Sequence, residues 1–167
     1  MRPSTKANLE AAFAGESQAH MKYSAFAEKA EREGYKEVAR LFKAIAYAEK
    51  VHAINHLRAL GKINSTSENL NEAMGGENYE VNEMYPAFDA VAKLQEEKAA
   101  ERSIHYAIEA EKMHEVMYDD ARKSVEDKKD IPEANVYVCP VCGHTVIGGA
   151  PDECPVCGCK KDKYVEF

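Results

Sequence analysis

The chain has 167 residues, 31% of them charged, a formal net charge of −7 and no Trp. That length holds one ordinary domain and a small appendage, and the acidity argues against nucleic-acid binding through phosphate contacts. No apolar run approaches the ~20 residues that span a bilayer. Met1-Arg2-Pro3-Ser4-Thr5-Lys6 is not followed by an apolar signal stretch, so the expectation is a cytoplasmic protein with no membrane contact.

In chain order, Ser4 or Thr5 is positioned to cap a first helix that runs to Gly34, a suitable C′ residue. A second helix is expected from about Tyr35 to Leu60, stopped by Gly61. The pattern then predicts a short helix from near Thr66 and a long one over about 77–96. A last long helix is expected over about 98–126, followed by a linker at Asp127-Lys128-Lys129-Asp130-Ile131-Pro132. Four long helices of this kind make a bundle. After the linker the composition turns to Val, Tyr, Cys, Gly and Pro, as in a small loop-rich domain. The expected division is 1–134 and 135–167.

The helical part is internally duplicated. Ser4-Thr5, Asn8-Leu9, Ala12 and Gly15-Glu16 recur as Ser65-Thr66, Asn69-Leu70, Ala73 and Gly76-Glu77, at an offset of 61. Tyr23, Ala25 and Phe26 recur as Tyr85, Ala87 and Phe88, at 62. Ala48-Glu49-Lys50 and His52 recur as Ala110-Glu111-Lys112 and His114, again at 62. One residue is therefore inserted between Glu77 and Tyr85. An extra residue in a helix is commonly absorbed as a π-bulge, and Pro86, lacking an N–H, marks a turn already disturbed.

Each copy offers one Glu on its first helix (Glu16, Glu77) and Glu-x-x-His on its second (Glu49 with His52, Glu111 with His114). Residues i and i+3 share a helix face. Two such faces give four carboxylates and two imidazoles, the ligand set of di-iron and di-manganese carboxylate proteins. A single Glu-x-x-His in an acidic helix is ordinarily a solvated face; two in register are not explained that way. Ile45, Ala46, Ala48 and Ala53 flank Glu49, and Ala107, Ile108, Ala110 and Met113 flank Glu111. Burying unpaired carboxylates in such apolar stripes costs several kcal/mol, which a metal relieves. Glu80 has no counterpart, since Ala19 occupies its place in the first copy, and from the residues alone a solvated side chain stays open as a second reading of it.

All five cysteines follow residue 138. Cys139-Pro140-Val141-Cys142-Gly143 and Cys154-Pro155-Val156-Cys157-Gly158 are two knuckles that specify one tetrahedral four-thiolate site. Iron and zinc both fit such a site. Cys159 lies outside it as a free thiol, and Tyr137, Tyr164 and Phe167 are available to cover a core that needs its metal to fold.

Taken together, Ala14-Gly15-Glu16, Ala48-Glu49-Lys50-Val51-His52, Gly76-Glu77-Asn78-Tyr79-Glu80, Ala110-Glu111-Lys112-Met113-His114 and the paired Cys-Pro-Val-Cys-Gly knuckles resemble rubrerythrin along essentially the whole chain. The resemblance implies an all-α ferritin-like four-helix bundle with a di-iron centre, followed by a rubredoxin-like domain with one iron on Cys139, Cys142, Cys154 and Cys157. It implies terminal carboxylates at Glu16, Glu77 and Glu80, bridging carboxylates at Glu49 and Glu111, and a fixed ligand at His114. It further implies a redox-dependent ligand at His52, which trades places with Glu80, and tyrosines just outside the ligand set at Tyr23 and Tyr85. No ligand position departs from the family pattern. The implied activity is reduction of hydrogen peroxide to water, with electrons from rubredoxin or an NAD(P)H-dependent rubredoxin reductase. The implied assembly is a homodimer that sets one chain's four-cysteine site near the other chain's di-metal site. Two other readings are an iron-storage or ferroxidase protein, which needs no dedicated electron entry, and a zinc-ribbon scaffold, which leaves the duplicated Glu-x-x-His unexplained.

Overall fold

In the computed structural model, which describes residues 1–167, helix follows helix with short breaks. Helix α1 spans Pro3–Arg32, α2 Lys36–Ala59, α3 Thr66–Tyr79, α4 Tyr85–Leu94 and α5 Lys98–Glu126. A π-helical turn, Glu80–Met84, joins α3 to α4 without a break. The chain packs as two units, Met1–Asn64 and Ser65–Phe167. The expected boundary at 134/135 divides the chain by composition; packing places the four-cysteine segment with the second helix pair. No helix is long and apolar enough to cross a membrane.

In the first unit α1 packs on α2. Its buried residues are all small: Ala27, Ala30, Ala39, Ala46 and Ala53. Ser4 and Thr5 do not cap α1. The helix begins at Pro3, whose fixed φ suits the first turn, and Arg2 precedes it without a side-chain cap. The link to α2 closes through Gly34 at φ +87°, with Tyr35 N–H donating to the Ala30 carbonyl.

In the second unit α3 and α4 pack on α5. Ser65 starts α3 with a full capping box to Glu68. The expected break before Glu77 is absent: Gly75 and Gly76 lie inside the helix, as their repeat partners Ala14 and Gly15 lie inside α1. The α4–α5 link repeats the α1–α2 link at an offset of 62, with Glu97 N–H donating to the Ala92 carbonyl, but Glu96 at φ +57° stands where the first copy has Gly34.

Beyond α5, strands β1 (Val136–Val138), β2 (Thr145–Ile147) and β3 (Val165–Glu166) form an antiparallel sheet of order β2-β1-β3. Val138 sits opposite both Thr145 and Val165. The core beneath is Cys139, Cys142 and Cys154, with Val156, Tyr164 and, from α5, Tyr106 against it.

Candidate metal centres

Each helix pair assembles the triad that its repeat predicts. Glu16, Glu49 and His52 in the first unit, and Glu77, Glu111 and His114 in the second, each bring one ligand atom within 4.8 Å of the others. The cause is local: one turn of helix sets Glu49 beside His52 and Glu111 beside His114, and the packed neighbour helix supplies the third carboxylate. Nδ1 of His52 lies 3.0 Å from Oε2 of Glu49 and 3.8 Å from Oε1 of Glu16. Nδ1 of His114 lies 2.6 Å from Oε2 of Glu111.

The charges of the second triad are uncompensated. Burial, together with the neighbouring Glu111 and Glu80 carboxylates, pushes the Glu77 carboxyl up to about 7. Burial and the Glu111 charge also raise Glu80, and burial with the Glu80, Glu111 and Glu77 charges raises Tyr85, which stays a neutral phenol. Carboxylates crowded into this state are what a bound cation would relieve, so the residues present fit a metal.

The π turn is where the inserted residue predicted it, and it carries Glu80 to within electrostatic reach of Glu111. Tyr23 packs in the first unit against Phe26 and Phe42, with ring centroids 6.3 and 6.1 Å away. Its repeat partner Tyr85 has Phe88 at 6.3 Å.

The four cysteines gather as their spacing requires, with sulfur atoms within 4.8 Å of one another. Cys139 and Cys157 are 3.5 Å apart, as are Cys142 and Cys154. A tetrahedral site with metal–sulfur bonds of ~2.3 Å has sulfur–sulfur edges of about 3.8 Å, so this cluster fits one ion with little adjustment. Burial raises the Cys142 thiol. It would raise Cys154 too, but the Tyr164 hydroxyl and the backbone N–H groups of Cys157 and Val156 donate to that sulfur and bring it down to about 6. The Tyr164 hydroxyl also lies 3.0 Å from Nδ1 of buried His144.

Sequence reasoning missed how the cysteine knuckle meets α5. Tyr106, Ala110 and His114 lie at i, i+4 and i+8 along one stripe of that helix. Tyr106 packs on the cysteine core. A Cβ placed on Gly143 would come 3.6 Å from that of Ala110, and Nε2 of His114 lies 2.8 Å from Oγ1 of Thr145. The expectation brought the two kinds of site together across two chains; here a cysteine knuckle and a di-metal triad adjoin within one. The available signal was Tyr106, which stands where the first copy has Ala44.

These features define a helical protein with the carboxylate/histidine ligand set of a di-metal site and a separate four-thiolate metal site. The Rubrerythrin family model matches residues 7–122, and the model for the rubrerythrin rubredoxin-like domain matches residues 137–165. The chain belongs to the rubrerythrin family, with a ferritin-like domain and a rubredoxin-like domain. It is 44% identical to Rubrerythrin-2 of Clostridium acetobutylicum, over 95% of this chain and 94% of that one. It is 34% identical to nigerythrin of Nitratidesulfovibrio vulgaris, over 98% of this chain and 87% of that one. A solved structure of nigerythrin in its fully reduced, all-ferrous state superposes with a TM-score of 0.58 at 32% identity, covering 100% of this chain and 88% of the other.

Proposed function

We propose that this oxidoreductase is a peroxidase that reduces hydrogen peroxide to two molecules of water, with two electrons and two protons consumed per turnover. When bound, a pair of ferrous ions supplies the two electrons, and iron on Cys139, Cys142, Cys154 and Cys157 passes electrons singly from a rubredoxin or an NAD(P)H-dependent rubredoxin reductase. The remaining work belongs to the protein's own groups. Glu16, Glu49 and His52 hold one side of the ligand set, and Glu77, Glu111 and His114 the other. Neutral Tyr85 keeps a proton beside the place where oxygen would accept it. Tyr23 supports the corresponding position in the first copy.

The observation that carries this reading is Glu80. Only the second copy has the extra carboxylate, and it lies on the π turn within electrostatic reach of Glu111 and Glu77. Carboxylate Glu80 and imidazole His52 then provide alternative ligands, one anionic and one neutral, suited to the oxidised and reduced states. The four-cysteine site beside α5 favours this over a ferroxidase or storage role, because storage needs no electron entry. Residues 1–134 act as the di-iron domain and 135–167 as the entry domain of a cytoplasmic homodimer.

The test is metal analysis of anaerobically purified protein, then rapid mixing of the reduced form with peroxide and, separately, with oxygen. Three irons per chain and a faster reaction with peroxide are expected. A faster reaction with oxygen, or iron accumulating well beyond three per chain, would turn the assignment to a ferroxidase.

A further inference from the structure

The two Glu-x-x-His copies are related by sequence but differ in what holds the imidazole. Each histidine directs Nδ1 at its own glutamate. His114 alone has a partner for its other nitrogen: Nε2 lies 2.8 Å from the Thr145 hydroxyl, 31 residues further along the chain. His52 turns Nδ1 to Glu49 and Glu16, and its side chain is 54% exposed against 27% for His114.

The Thr145 hydroxyl has one proton and stands between two groups. It donates to the Gly143 carbonyl at 2.9 Å, so toward His114 it must accept. The proton between them therefore belongs to Nε2 of His114. A neutral imidazole carries only one N–H, which leaves the Nδ1 lone pair available to a cation; the proton shared across the 2.6 Å between Nδ1 and Oε2 of Glu111 in the metal-free site is the one such a cation displaces. Thr145 is itself fixed: it is buried, and β2 pairs it with Val138, next to Cys139. Gly143, whose carbonyl takes the hydroxyl proton, belongs to the first cysteine knuckle and packs on Ala110.

We infer that Thr145 is a positioning residue for the di-metal site: by accepting the Nε2–H of His114 it fixes the ring and its tautomer, makes Nδ1 the metal-binding nitrogen, and ties that ligand to the fold of the cysteine knuckle. This rests on the reading of His114 as a metal ligand. It supplies a reason for one histidine to be held and the other free, although both arise from the same duplicated motif. Partners on the distal nitrogen of a ligating histidine set its tautomer and basicity. A cavity of about 210 Å³, lined by His114, Met117, Tyr118 and Thr145, opens beside the contact, so without the hydroxyl the ring N–H would meet water.

The test uses full-length protein labelled with 15N-histidine and loaded with zinc in place of iron, which keeps every site diamagnetic. Long-range proton–nitrogen spectra should place the His114 proton on Nε2, with Nδ1 shifted on zinc binding. Thr145→Val, which keeps the shape and drops the hydroxyl, should speed exchange of that proton at least about tenfold. It should also weaken zinc at the His114 triad by about 10–100-fold. Thr145→Ser should restore both values, which loss of shape alone would not allow. The wild-type spectrum is decisive even if the valine variant folds poorly. A proton on Nδ1, or a folded valine variant with unchanged exchange and zinc affinity, would overturn the inference. If instead Nε2–H is protected by Thr145 but Nδ1 ignores zinc, the ligand reading of His114 is wrong and the metal role of Thr145 falls with it.

Discussion

The backbone N–H of Tyr85 donates to the carbonyl of Glu80, five residues back, where an α-helix would reach four. This one bond accommodates the residue by which the second copy exceeds the first. Pro86 follows, with no N–H to give, so the widened turn ends at a position where a regular helix would carry the ring's clash with the carbonyl of Asn82. Deleting Asn82 should force the regular path and confront Pro86 with the same clash, now at the carbonyl of Val81. The deletion should destabilise the protein by about 3 kcal/mol, and adding Pro86→Ala should recover most of it. In the recovered variant Glu80 should no longer affect the second triad, because removing one residue turns it about 100° around the helix axis relative to Tyr85. Thermal unfolding of the two variants checks the first statement, and a crystal structure of the second variant checks the other.

The helix-pair links give a second, independent test of the duplication. Gly34 and Glu96 occupy the same left-handed position at φ +87° and +57°, inside the same pattern of backbone bonds. That conformation costs a residue with a Cβ about 1–2 kcal/mol, partly offset by the lower unfolded-state entropy of such a residue. Glu96→Gly should therefore stabilise the protein by about 0.5–1 kcal/mol, and Gly34→Ala should destabilise it by about 1 kcal/mol. Opposite signs in thermal unfolding are expected; equal signs would contradict the shared geometry.

Much of this architecture was legible because it is local. C′ glycines and the 61-to-62 offset are statements about neighbouring residues, and the structure follows them at Gly34, Gly61 and the π turn, whereas the cap expected at Ser4 or Thr5 gives way to a helix that starts at Pro3. The break expected before Glu77 falls at Gly75-Gly76, a pair that ordinarily weakens a helix; the repeat aligns it with Ala14-Gly15 in mid-helix, and α3 runs through it. Both Glu-x-x-His pairs and the four cysteines were equally legible, being residue types whose spacing is their function. Thr145 was not. A threonine in a short strand is ordinary, and its partner lies 31 residues away on a helix. Its significance arises only when the cysteine knuckle docks on the stripe formed by Tyr106, Ala110 and His114.

Glu77 makes the metal site sensitive to pH, and the direction follows from its carboxyl. Its value of about 7 in the fold lies above the ordinary 4.5, so the metal-free folded state holds a proton that the unfolded chain would release. The stabilisation from this group is complete below about 4.5 and is lost as pH rises through about 7. A cation must displace the same proton. Anaerobic calorimetric titration with ferrous ion in buffers of different ionisation enthalpy should show nearly one more proton released at pH 6 by the wild type than by Glu77→Gln. At pH 8 the difference should shrink toward zero. A difference that does not depend on pH would place the proton elsewhere.

On the proposed function, Glu80 is the residue that separates peroxide chemistry from oxygen chemistry. It is the carboxylate that a symmetric pair of triads does not require, set by the π turn where it raises both Glu77 and Tyr85 and is itself raised by Glu111. Glu80→Ala removes one anion from a crowded group, so the protein should fold and both metals should still bind to the remaining carboxylates and histidines. On the proposed function, what disappears is the anionic alternative to His52, and with it the exchange that would suit the ligand set to each oxidation state. The reaction of the reduced protein with peroxide should slow on the order of 10–100-fold, with a much smaller effect on the reaction with oxygen. Glu80→Gln, which keeps the size but not the charge, should behave like the alanine variant. Stopped-flow mixing of each reduced variant with each oxidant, after metal content is matched to wild type, decides the matter. Equal slowing for peroxide and oxygen would remove the reason to assign Glu80 to peroxide reduction.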